Sequence, residues 1–373
     1  MKLIITGGHL TPALAFIEYL KKQHPNDEVI FFGRLYSKQG KEQISNERKE
    51  VTSLGVTFIA FNSVKLSENT FFAKLKSVPL LFLRTLQAVF LLLQQKPTVF
   101  VSFGGYLAIP VAIACWIMRI PVITHEQTRT AGVANLIIAR FAHKVALSYK
   151  ESKPLFSKHK TVVTGNLIRA SILQTNKVMP DWITKKPLKP LLYITGGSQG
   201  SEIINRTTAQ ILKPLLKNWC VIHQCGKPAG KTNYLQELTQ IKEQLSVANQ
   251  EQYYIREWIE KEELSWIYSN AQAVISRAGA NTTEEIALSR IPSILIPLPF
   301  SHNDEQLKNA QALSNKKQAL LLEQKNLNPE VLLEATQIIQ KYHRKFSRNL
   351  ELFSKAKDPE KKLYELILSV VPT

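Results

Sequence analysis

Two glycine-rich segments are the residues whose types and spacing most directly predict chemistry. Thr6-Gly7-Gly8-His9 follows the apolar run Leu3–Ile5, and Gly196-Gly197-Ser198-Gln199-Gly200 follows Leu191–Thr195. Glycine lets a backbone approach a ligand closely, and the N-terminus of a following helix favours an anion. A tight turn from strand to helix also favours glycine. Because the pattern occurs once in each half of the chain, we predict that both turns bind phosphate-bearing ligands.

His9 is the candidate general base of the first turn. An imidazole titrates near neutral pH and can take a proton from a hydroxyl group. The alternative is that its ring makes a hydrogen bond that locks the loop. The residues alone leave both interpretations open.

A third segment combines free backbone donors with carboxylates. Arg277-Ala278-Gly279-Ala280-Asn281-Thr282-Thr283-Glu284-Glu285 follows the predicted strand Ala273–Ser276 and begins a helix. Its first N–H groups suit phosphate, and a glutamate further along can accept both hydroxyls of a ribose. The alternative is an ordinary helix start whose glutamates complement the helix dipole. Glu284 suits that alternative, and Glu285 is the better ligand candidate.

The elements that position these residues alternate between short apolar strands and amphipathic helices. This alternation is typical of α/β domains with doubly wound parallel sheets. It predicts a first domain over 1–170, a lysine- and proline-rich linker over 171–190 and a second domain over 191–349. We also expect a final helix over about 350–373 to pack back on the first domain. The predicted strands are Leu3–Ile5, Val29–Phe32, Thr57–Phe61, Val99–Phe103, Val122–Thr124, Lys144–Leu147, Thr161–Val163, Leu191–Thr195, Cys220–Gln224, Tyr253–Ile255, Ala273–Ser276 and Ser293–Ile296.

Composition limits the classes of partner. Of 373 residues, 48 are Lys or Arg and 29 are Asp or Glu, which gives a net charge of +19. A basic chain suggests nucleic acid, an anionic membrane or phosphate-bearing substrates. The 45% hydrophobic content excludes a disordered chain, and three cysteines give neither a disulfide framework nor a structural zinc site.

The chain also has a candidate membrane-facing segment. The start lacks the long apolar core of a signal peptide, and the apolar run Val78–Leu93 is too short and too interrupted to span a bilayer. Large side chains flanked by cations suit shallow insertion into an anionic interface, although a solvated helix start is equally consistent. The residues proposed to face the membrane are Phe71, Phe72, Lys74, Lys76, Phe82 and Arg84.

Together these motifs resemble the MurG family, the bacterial UDP-N-acetylglucosamine transferases that complete lipid II. The resemblance runs over nearly the whole chain, and its most specific part lies between Gly104 and Gln127. The matching segments are Thr6–His9 with Pro12–Ala15, Gly104-Gly105-Tyr106 with Pro110, Ile120–Val122, His125-Glu126-Gln127, Ala131-Gly132, Gly165-Asn166, Arg169, Gly196–Gly200, His223–Lys227, Arg277, Gly279-Ala280, Glu285-Ile286, Gln306 and Asn309-Ala310.

The resemblance implies a GT-B fold, with two Rossmann-like domains facing each other across a cleft, and a role for each matched position. His9 is the implied base, and Glu285 the implied ribose ligand. The acceptor side is implied to include Gly104, Gly105, Tyr106, His125 and Glu126. The implied donor contacts are Thr6, Gly7, Gly8, Thr128, Arg169, Ser198, Ile259, Ala280, Asn281, Thr282, Thr283, Glu284, Glu285 and Gln306.

Three departures from the family pattern bear on acceptor recognition and rate. Ile4-Ile5 stand where the family usually has two more glycines, Thr128 replaces an asparagine, and Glu305 replaces the first residue of a frequent Gln-Gln pair. Thr128 loses an amide donor, and Glu305 adds a charge near the expected position of the donor sugar.

The implied reaction is an inverting transfer of N-acetylglucosamine from UDP-N-acetylglucosamine to the 4-hydroxyl of an undecaprenyl-diphosphate-linked muramyl pentapeptide. We expect no required cofactor or metal, since no Asp-x-Asp metal motif is present. The implied location is peripheral, on the cytoplasmic face of the bacterial inner membrane, with anionic lipid and the proteins of cell-wall synthesis and division as partners, and no nucleic acid. The alternatives are another membrane-lipid UDP-sugar glycosyltransferase, such as one acting on diacylglycerol, and a UDP-sugar epimerase of related fold.

Overall fold

A computed structural model describes residues 1–36, 44–62, 71–169, 178–197, 200–228, 232–351 and 358–371, with the side chains of 46, 71–78, 302 and 351 left out. The chain divides into two compact units. The first comprises Met1–Arg169 with Ala356–Thr373, and the second comprises Ala170–Lys355. The predicted α/β class with parallel sheets is confirmed in both units.

The first unit is built on a seven-stranded parallel sheet of order β3-β2-β1-β4-β5-β6-β7. Its strands are β1 (Lys2–Gly7), β2 (Glu28–Gly33), β3 (Thr57–Ala60), β4 (Val99–Phe103), β5 (Val122–Glu126), β6 (Lys144–Leu147) and β7 (Thr161–Val163). The connecting helices are α1 (Leu10–Gln23), α2 (Asn46–Ser53), α3 (Phe71–Gln95), α4 (Ala108–Ile117) and α5 (Val133–Phe141). Both faces of the sheet are covered, which explains why the central strands β4 and β5 are buried at every position.

The second unit repeats this plan with a six-stranded parallel sheet of order β10-β9-β8-β11-β12-β13. The strands are β8 (Leu191–Thr195), β9 (Cys220–Gln224), β10 (Tyr253–Arg256), β11 (Ala271–Ser276), β12 (Ser293–Leu295) and β13 (Ala319–Leu321). The helices are α6 (Glu202–Asn218), α7 (Tyr234–Glu243), α8 (Val247–Gln250), α9 (Lys261–Asn270), α10 (Ala280–Leu288), α11 (Glu305–Ser314), α12 (Pro329–Lys341) and α13 (His343–Glu351).

The last helix, α14 (Pro359–Leu368), packs on the first unit. Leu363, Leu366 and Ile367 join the same core cluster as residues of α1. Tyr364 stacks on His24 with ring centroids 3.7 Å apart, and its hydroxyl donates to Asp27 Oδ2 at 2.8 Å. The chain therefore returns to the first unit after completing the second.

The described part of the predicted linker, 178–190, is packed on the second unit. Ile183 is buried in the cluster that contains Leu191 and Tyr254. The indole Nε1 of Trp182 donates to Glu263 Oε1 at 2.6 Å. The interpretation of this stretch as a linker rested on its lysines and prolines and overlooked these two apolar anchors.

Candidate functional site

The first glycine turn is held directly against the loop that follows β4. A Cβ on Gly8 would lie 2.3 Å from the amide nitrogen of Gly105, so only glycine permits this approach. Gly104 and Gly105 both have positive φ angles, 82° and 80°. The structure thus brings Gly8 together with Gly104-Gly105 at the carboxyl edge of neighbouring strands. The family resemblance implies a donor contact for Gly8 and an acceptor contact for the other two.

Gly7 and Thr6 end β1 at the same edge. Gly7 packs on Phe31, whose Cζ would lie 2.9 Å from an added Cβ. Thr6 is fully buried, and its Oγ1 has no hydrogen-bond partner among the described residues.

His9 joins this turn to α1, and its backbone N–H donates to Phe103 O at 3.1 Å. Among the described residues we find no hydrogen bond to its ring. Burial lowers the pKa of His9, and the negative charge of Glu126 opposes that shift. The imidazole is therefore neutral at physiological pH, which is the state that can accept a proton.

Glu126 is fully buried at the end of β5 and accepts four hydrogen bonds. Its Oε1 accepts from Thr128 N at 2.8 Å and Thr128 Oγ1 at 2.7 Å. Its Oε2 accepts from Asn135 Nδ2 at 2.9 Å and Gly132 N at 3.0 Å. In the described structure Glu126 thus organises the 126–132 loop, and Thr128 takes part in that network.

Asn135 is a residue that the sequence reasoning missed. It is buried on α5, donates to both Glu126 Oε2 and His125 O, and accepts from Thr124 Oγ1 at 2.8 Å. It also lies beneath the glycine turn, since a Cβ on Gly104 would be 3.2 Å from its amide atoms. The signal that could have found it is an uncharged polar residue within a helix that is otherwise apolar except for Arg140.

His125 and Tyr106 flank the same edge. Burial lowers the pKa of His125 to about 3, and the neighbouring His9 contributes to that shift. His125 Nε2 lies 3.3 Å from Ser148 Oγ, whereas its Nδ1 has no partner in the described chain. Tyr106 is half-buried against the core formed by α3, α4 and α5.

Arg169, an implied phosphate ligand, has two carboxylate partners. Its Nε donates to Glu18 Oε1 at 2.8 Å and one terminal nitrogen donates to Glu50 Oε2 at 2.6 Å. The side chain is only 6% exposed. Binding a phosphate would require the guanidinium to use its remaining N–H groups or to release one carboxylate.

The glycine turn of the second unit is equally tight. A Cβ on Gly200 would lie 2.4 Å from Cys225 O, whereas Gly197 (φ 79°) has no atom within 4 Å of the corresponding position. Among the described residues, Gly197 therefore leaves open space next to the end of β8. Ser198, the implied phosphate contact, lies outside the described residues.

The N-terminus of α10 has the geometry of an anion site. Gly279 is its N-cap, and no acidic residue lies in its first turn, Ala280, Asn281, Thr282 and Thr283. Thr283 Oγ1 is turned inward and donates to Gly279 O at 3.0 Å. Helix N-termini leave first-turn N–H groups without helical acceptors, which favours a negative ligand.

Glu285 is buried one turn further along α10, and Glu284 is half-buried beside it. Tyr268 OH donates to Glu285 Oε2 at 3.3 Å. Burial, together with the charge of Glu285, raises the pKa of Tyr268 well above its usual value. The phenol thus stays protonated and serves as a fixed donor to the carboxylate.

Gln306 shapes the loop after β12. Its side-chain Oε1 accepts from Leu298 N at 3.0 Å, and its backbone N–H donates to Ser301 Oγ at 3.2 Å. In the described structure Gln306 therefore positions a loop rather than pointing freely to solvent.

Ile259 is buried just before α9, and its neighbour Trp258 is 41% exposed.

Comparison with known proteins decides the family. Residues 4–147 match the model of the glycosyltransferase family 28 N-terminal domain, and 191–365 match the C-terminal domain. A UDP-N-acetylglucosamine–N-acetylmuramyl-(pentapeptide) pyrophosphoryl-undecaprenol N-acetylglucosamine transferase of Clostridium perfringens is 33% identical over 358 residues, covering 94% of this chain and 93% of that protein. One from Bacillus cereus is 31% identical and covers 95% of both. The chain belongs to the MurG family.

Solved structures agree on the fold. The crystal structure of MurG from Acinetobacter baumannii superposes with a TM-score of 0.70 at 23% identity, covering 99% of this chain and 100% of that one. A UDP-GlcNAc 2-epimerase from Neisseria meningitidis has a TM-score of 0.67 at 12% identity, covering 99% of this chain and 100% of that one. The two enzyme classes therefore share this architecture.

The predicted membrane face of this MurG-family chain is partly described. Phe71, Phe72, Lys74 and Lys76 have side chains outside the described part, whereas Phe82 is 63% exposed and Arg84 donates to Gln87 Oε1 at 2.7 Å. The C-terminal half of α3 has one buried edge, Ala88 and Leu92, and one exposed edge. The exposed edge, called the α3 face below, comprises Phe82, Leu83, Leu86, Phe90 and Leu93. Within the described residues, no helix combines the length and apolarity that crossing a membrane requires.

Proposed function

We propose that this chain transfers N-acetylglucosamine from UDP-N-acetylglucosamine to the 4-hydroxyl of an undecaprenyl-diphosphate-linked muramyl pentapeptide. Curated relatives that cover nearly all of the chain are named for this reaction. The structural observation that carries the proposal is His9. Its ring is neutral and makes no hydrogen bond to the described residues, and it follows a glycine turn at the carboxyl edge of a parallel sheet, where α/β folds bind ligands.

The proposed chemistry is a single displacement. The acceptor oxygen attacks the anomeric carbon of the donor sugar, its proton passes to His9, and the bond from that carbon to the UDP oxygen breaks. Negative charge grows on the leaving diphosphate. The first-turn N–H groups of α10 would stabilise that charge more strongly in the transition state than in the bound donor.

We also propose that the reaction needs no bound metal ion. The N-terminus of α10 supplies positive electrostatic potential where a metal-dependent enzyme would use a cation. Activity should therefore survive exhaustive chelation. Loss of turnover in chelator, restored by Mg²⁺, would contradict this part of the proposal.

The deciding experiment incubates the protein with UDP-N-acetylglucosamine and a short-chain analogue of the lipid-linked acceptor. We expect a disaccharide product and one equivalent of UDP. The His9→Ala variant should lower kcat by roughly 10²–10⁴ while remaining folded. Isomerised UDP-sugar without transfer would favour the epimerase, and transfer to diacylglycerol in place of the muramyl acceptor would favour the lipid glycosyltransferase.

For location, we propose peripheral binding at the cytoplasmic face of the membrane, where the acceptor lies. The α3 face supports this proposal because five large apolar side chains, each at least 51% exposed, lie along one edge of a single helix. Exposed apolar patches rimmed by polar residues mark protein or membrane contacts. The proteins of cell-wall synthesis and division are proposed as partners on the family resemblance alone.

A further inference from the structure

The buried carboxylate of Glu126 is linked to His9 by a short chain of contacts within the first unit. Glu126 Oε2 accepts from Asn135 Nδ2 at 2.9 Å, and the Asn135 amide lies beneath Gly104. The Gly104-Gly105 turn lies against Gly8, the residue directly before His9. Displacing the carboxylate would therefore move the support on which the His9 loop rests.

Glu126 has its hydrogen-bonding capacity filled by donors and has no countercharge. Three of its four partners, two backbone N–H groups and an amide NH₂, can only donate. Among the described residues no lysine or arginine lies within ion-pair distance of it. A carboxylate stabilised by fixed dipoles keeps its negative charge in a buried position, and that charge acts over several ångströms in a medium of low dielectric.

Among the ionisable groups near His9, Glu126 is the one whose charge bears on the protonation of the imidazole. His125, on the same strand as Glu126, is neutral because burial lowers its pKa to about 3. Glu47 on α2 lies beside Gly7, and burial raises its pKa, which makes its negative charge less stable. On α1 the nearest acidic residue is Glu18, which is paired with Arg169.

We propose that Glu126 is a positioning residue for His9, with a fixed negative charge that stabilises the imidazolium formed when His9 takes the acceptor proton. Asn135 holds that carboxylate against the glycine turn. This inference rests on the proposed role of His9 as the base. Glu126 itself neither receives the proton nor contacts the sugar in this scheme.

The sign of the effect follows from the charges. A nearby anion favours protonated histidine, so Glu126 makes His9 a stronger base than burial alone would leave it. Removing the charge lowers the basicity of His9. The acidic limb of the pH profile of kcat/KM should then move to lower pH, and the plateau of kcat should fall because a weaker base assists less.

The test compares Glu126→Gln, Glu126→Asp and the wild type. Glu126→Gln removes the charge, and we expect its acidic limb to lie roughly one pH unit lower, with a roughly tenfold lower kcat and little change in the KM for UDP-N-acetylglucosamine. Glu126→Asp keeps the charge but shortens the side chain. It should lower kcat while leaving the limb at the wild-type pH, which separates charge from geometry.

A second measurement is independent of turnover. NMR titration of the His9 ring should give a lower pKa in Glu126→Gln than in the wild type, and the dispersion of the other resonances reports folding. Glu28→Gln, which removes an equally charged residue at the opposite end of the sheet, should change neither the titration nor the pH profile. Glu28 is exposed and pairs with Lys2.

The possible failures are distinguishable. If the wild type transfers no sugar, the proposed function is wrong, but the titration of His9 still tests the influence of Glu126. If transfer occurs and His9→Ala is inactive, yet Glu126→Gln leaves both the acidic limb and the His9 titration unchanged, the inference is overturned and Glu126 serves only to organise its loop.

Discussion

The backbones of Gly8 and Gly105 lie so close together that neither position has room for a side chain. A Cβ on Gly8 would be 2.3 Å from Gly105 N, and a Cβ on Gly105 would be 2.7 Å from Gly8 Cα. The two residues lie 97 positions apart in the sequence. Their contact joins the turn that carries His9 to the loop after β4, so the position of the proposed base depends on the absence of two side chains.

We predict that Gly8→Ala impairs catalysis and stability together. Backbone atoms cannot yield as the end of a flexible side chain can, so the turn must shift. Overpacking of this kind destabilises by about 1–3 kcal/mol. A displacement near 1 Å at a base costs roughly 10²-fold in kcat. The measurements are urea unfolding and steady-state transfer on the same preparation.

Gly132→Ala is the matched control for this variant. Gly132 has φ −69°, and a Cβ there would meet nothing closer than Glu126 Oε2 at 3.8 Å. The alanine variant retains the hydrogen bond from the backbone N–H of residue 132 to Glu126. The free energy of unfolding should stay within about 0.5 kcal/mol of the wild type. Equal behaviour of the two alanine variants would show that the close approach at Gly8 is unimportant.

A second prediction concerns Glu285. If its carboxylate accepts both ribose hydroxyls, Glu285→Gln loses a charge-assisted pair of hydrogen bonds. The glutamine side chain keeps one acceptor oxygen, so the net loss is that of one such bond, about 1.5–3 kcal/mol, and the Kd for UDP should rise by roughly 10- to 100-fold. Calorimetric titration of UDP measures this directly and needs no acceptor.

Glu334→Gln controls for the loss of a carboxylate in the second unit, since Glu334 is exposed on α12. Its affinity for UDP should match the wild type. Unchanged UDP binding in Glu285→Gln would instead assign the carboxylate to its contact with Tyr268, as a structural hydrogen bond within the unit.

A third prediction concerns the α3 face. Phe90 is 60% exposed, and burying a phenylalanine in an apolar environment contributes roughly 1.5–3 kcal/mol. Phe90→Glu should therefore weaken sedimentation with anionic vesicles by about tenfold or more. Turnover of a soluble short-chain acceptor should not change.

The control is Val247→Glu, which adds the same charge at a 73% exposed apolar position in the second unit. Vesicle binding of this variant should equal that of the wild type. If both variants lose binding equally, the effect is one of net charge, and the α3 face is not the membrane contact.

The elements could be predicted because their signals are local. Val99–Phe103, Leu191–Thr195 and Cys220–Gln224 were predicted with the bounds that the structure has, since each is a short apolar run before a glycine or polar turn. The elements that were not predicted include one helix and one strand. α2 (Asn46–Ser53) is almost entirely polar, and β13 (Ala319–Leu321) has only three residues.

The site was less predictable because its contacts connect distant parts of the chain. Nothing near Arg169 in the sequence indicates that Glu18 and Glu50 pair with its guanidinium. Nothing near Asn135 indicates that Gly104 rests on its amide. Motifs identify which residues meet a ligand, whereas the residues that hold those motifs in place become visible only once the fold is known.

The last prediction concerns stability at acidic pH and depends on His223. This residue is fully buried in the second unit, with Nδ1 2.9 Å from Tyr253 OH and Nε2 3.0 Å from Asn205 Oδ1. Burial lowers its pKa to about 3 in the folded state, whereas a histidine in an unfolded chain has a pKa of about 6.5.

Between these two values the unfolded chain binds a proton that the folded chain does not. The contribution of His223 to the free energy of unfolding is therefore fully present above about pH 6.5. It is lost as the pH falls from there toward 3, at up to about 1.4 kcal/mol per pH unit. The glutamine in His223→Gln cannot titrate. We therefore expect the free energy of unfolding of this variant to change less with pH than that of the wild type, by up to about 1.4 kcal/mol per pH unit. At pH 7 the free energy of unfolding of the variant is lower than that of the wild type.

Tryptophan fluorescence during urea unfolding at pH 5 and pH 7 measures this slope in the relevant unit, since four of the five tryptophans (Trp182, Trp219, Trp258 and Trp266) lie in it. His159→Gln is the control because His159 is exposed, and its slope should equal that of the wild type. An unchanged slope in His223→Gln would mean that the folded protein takes up a proton at His223. The hydrogen bonds to Tyr253 and Asn205 would then have to accommodate an imidazolium in the core.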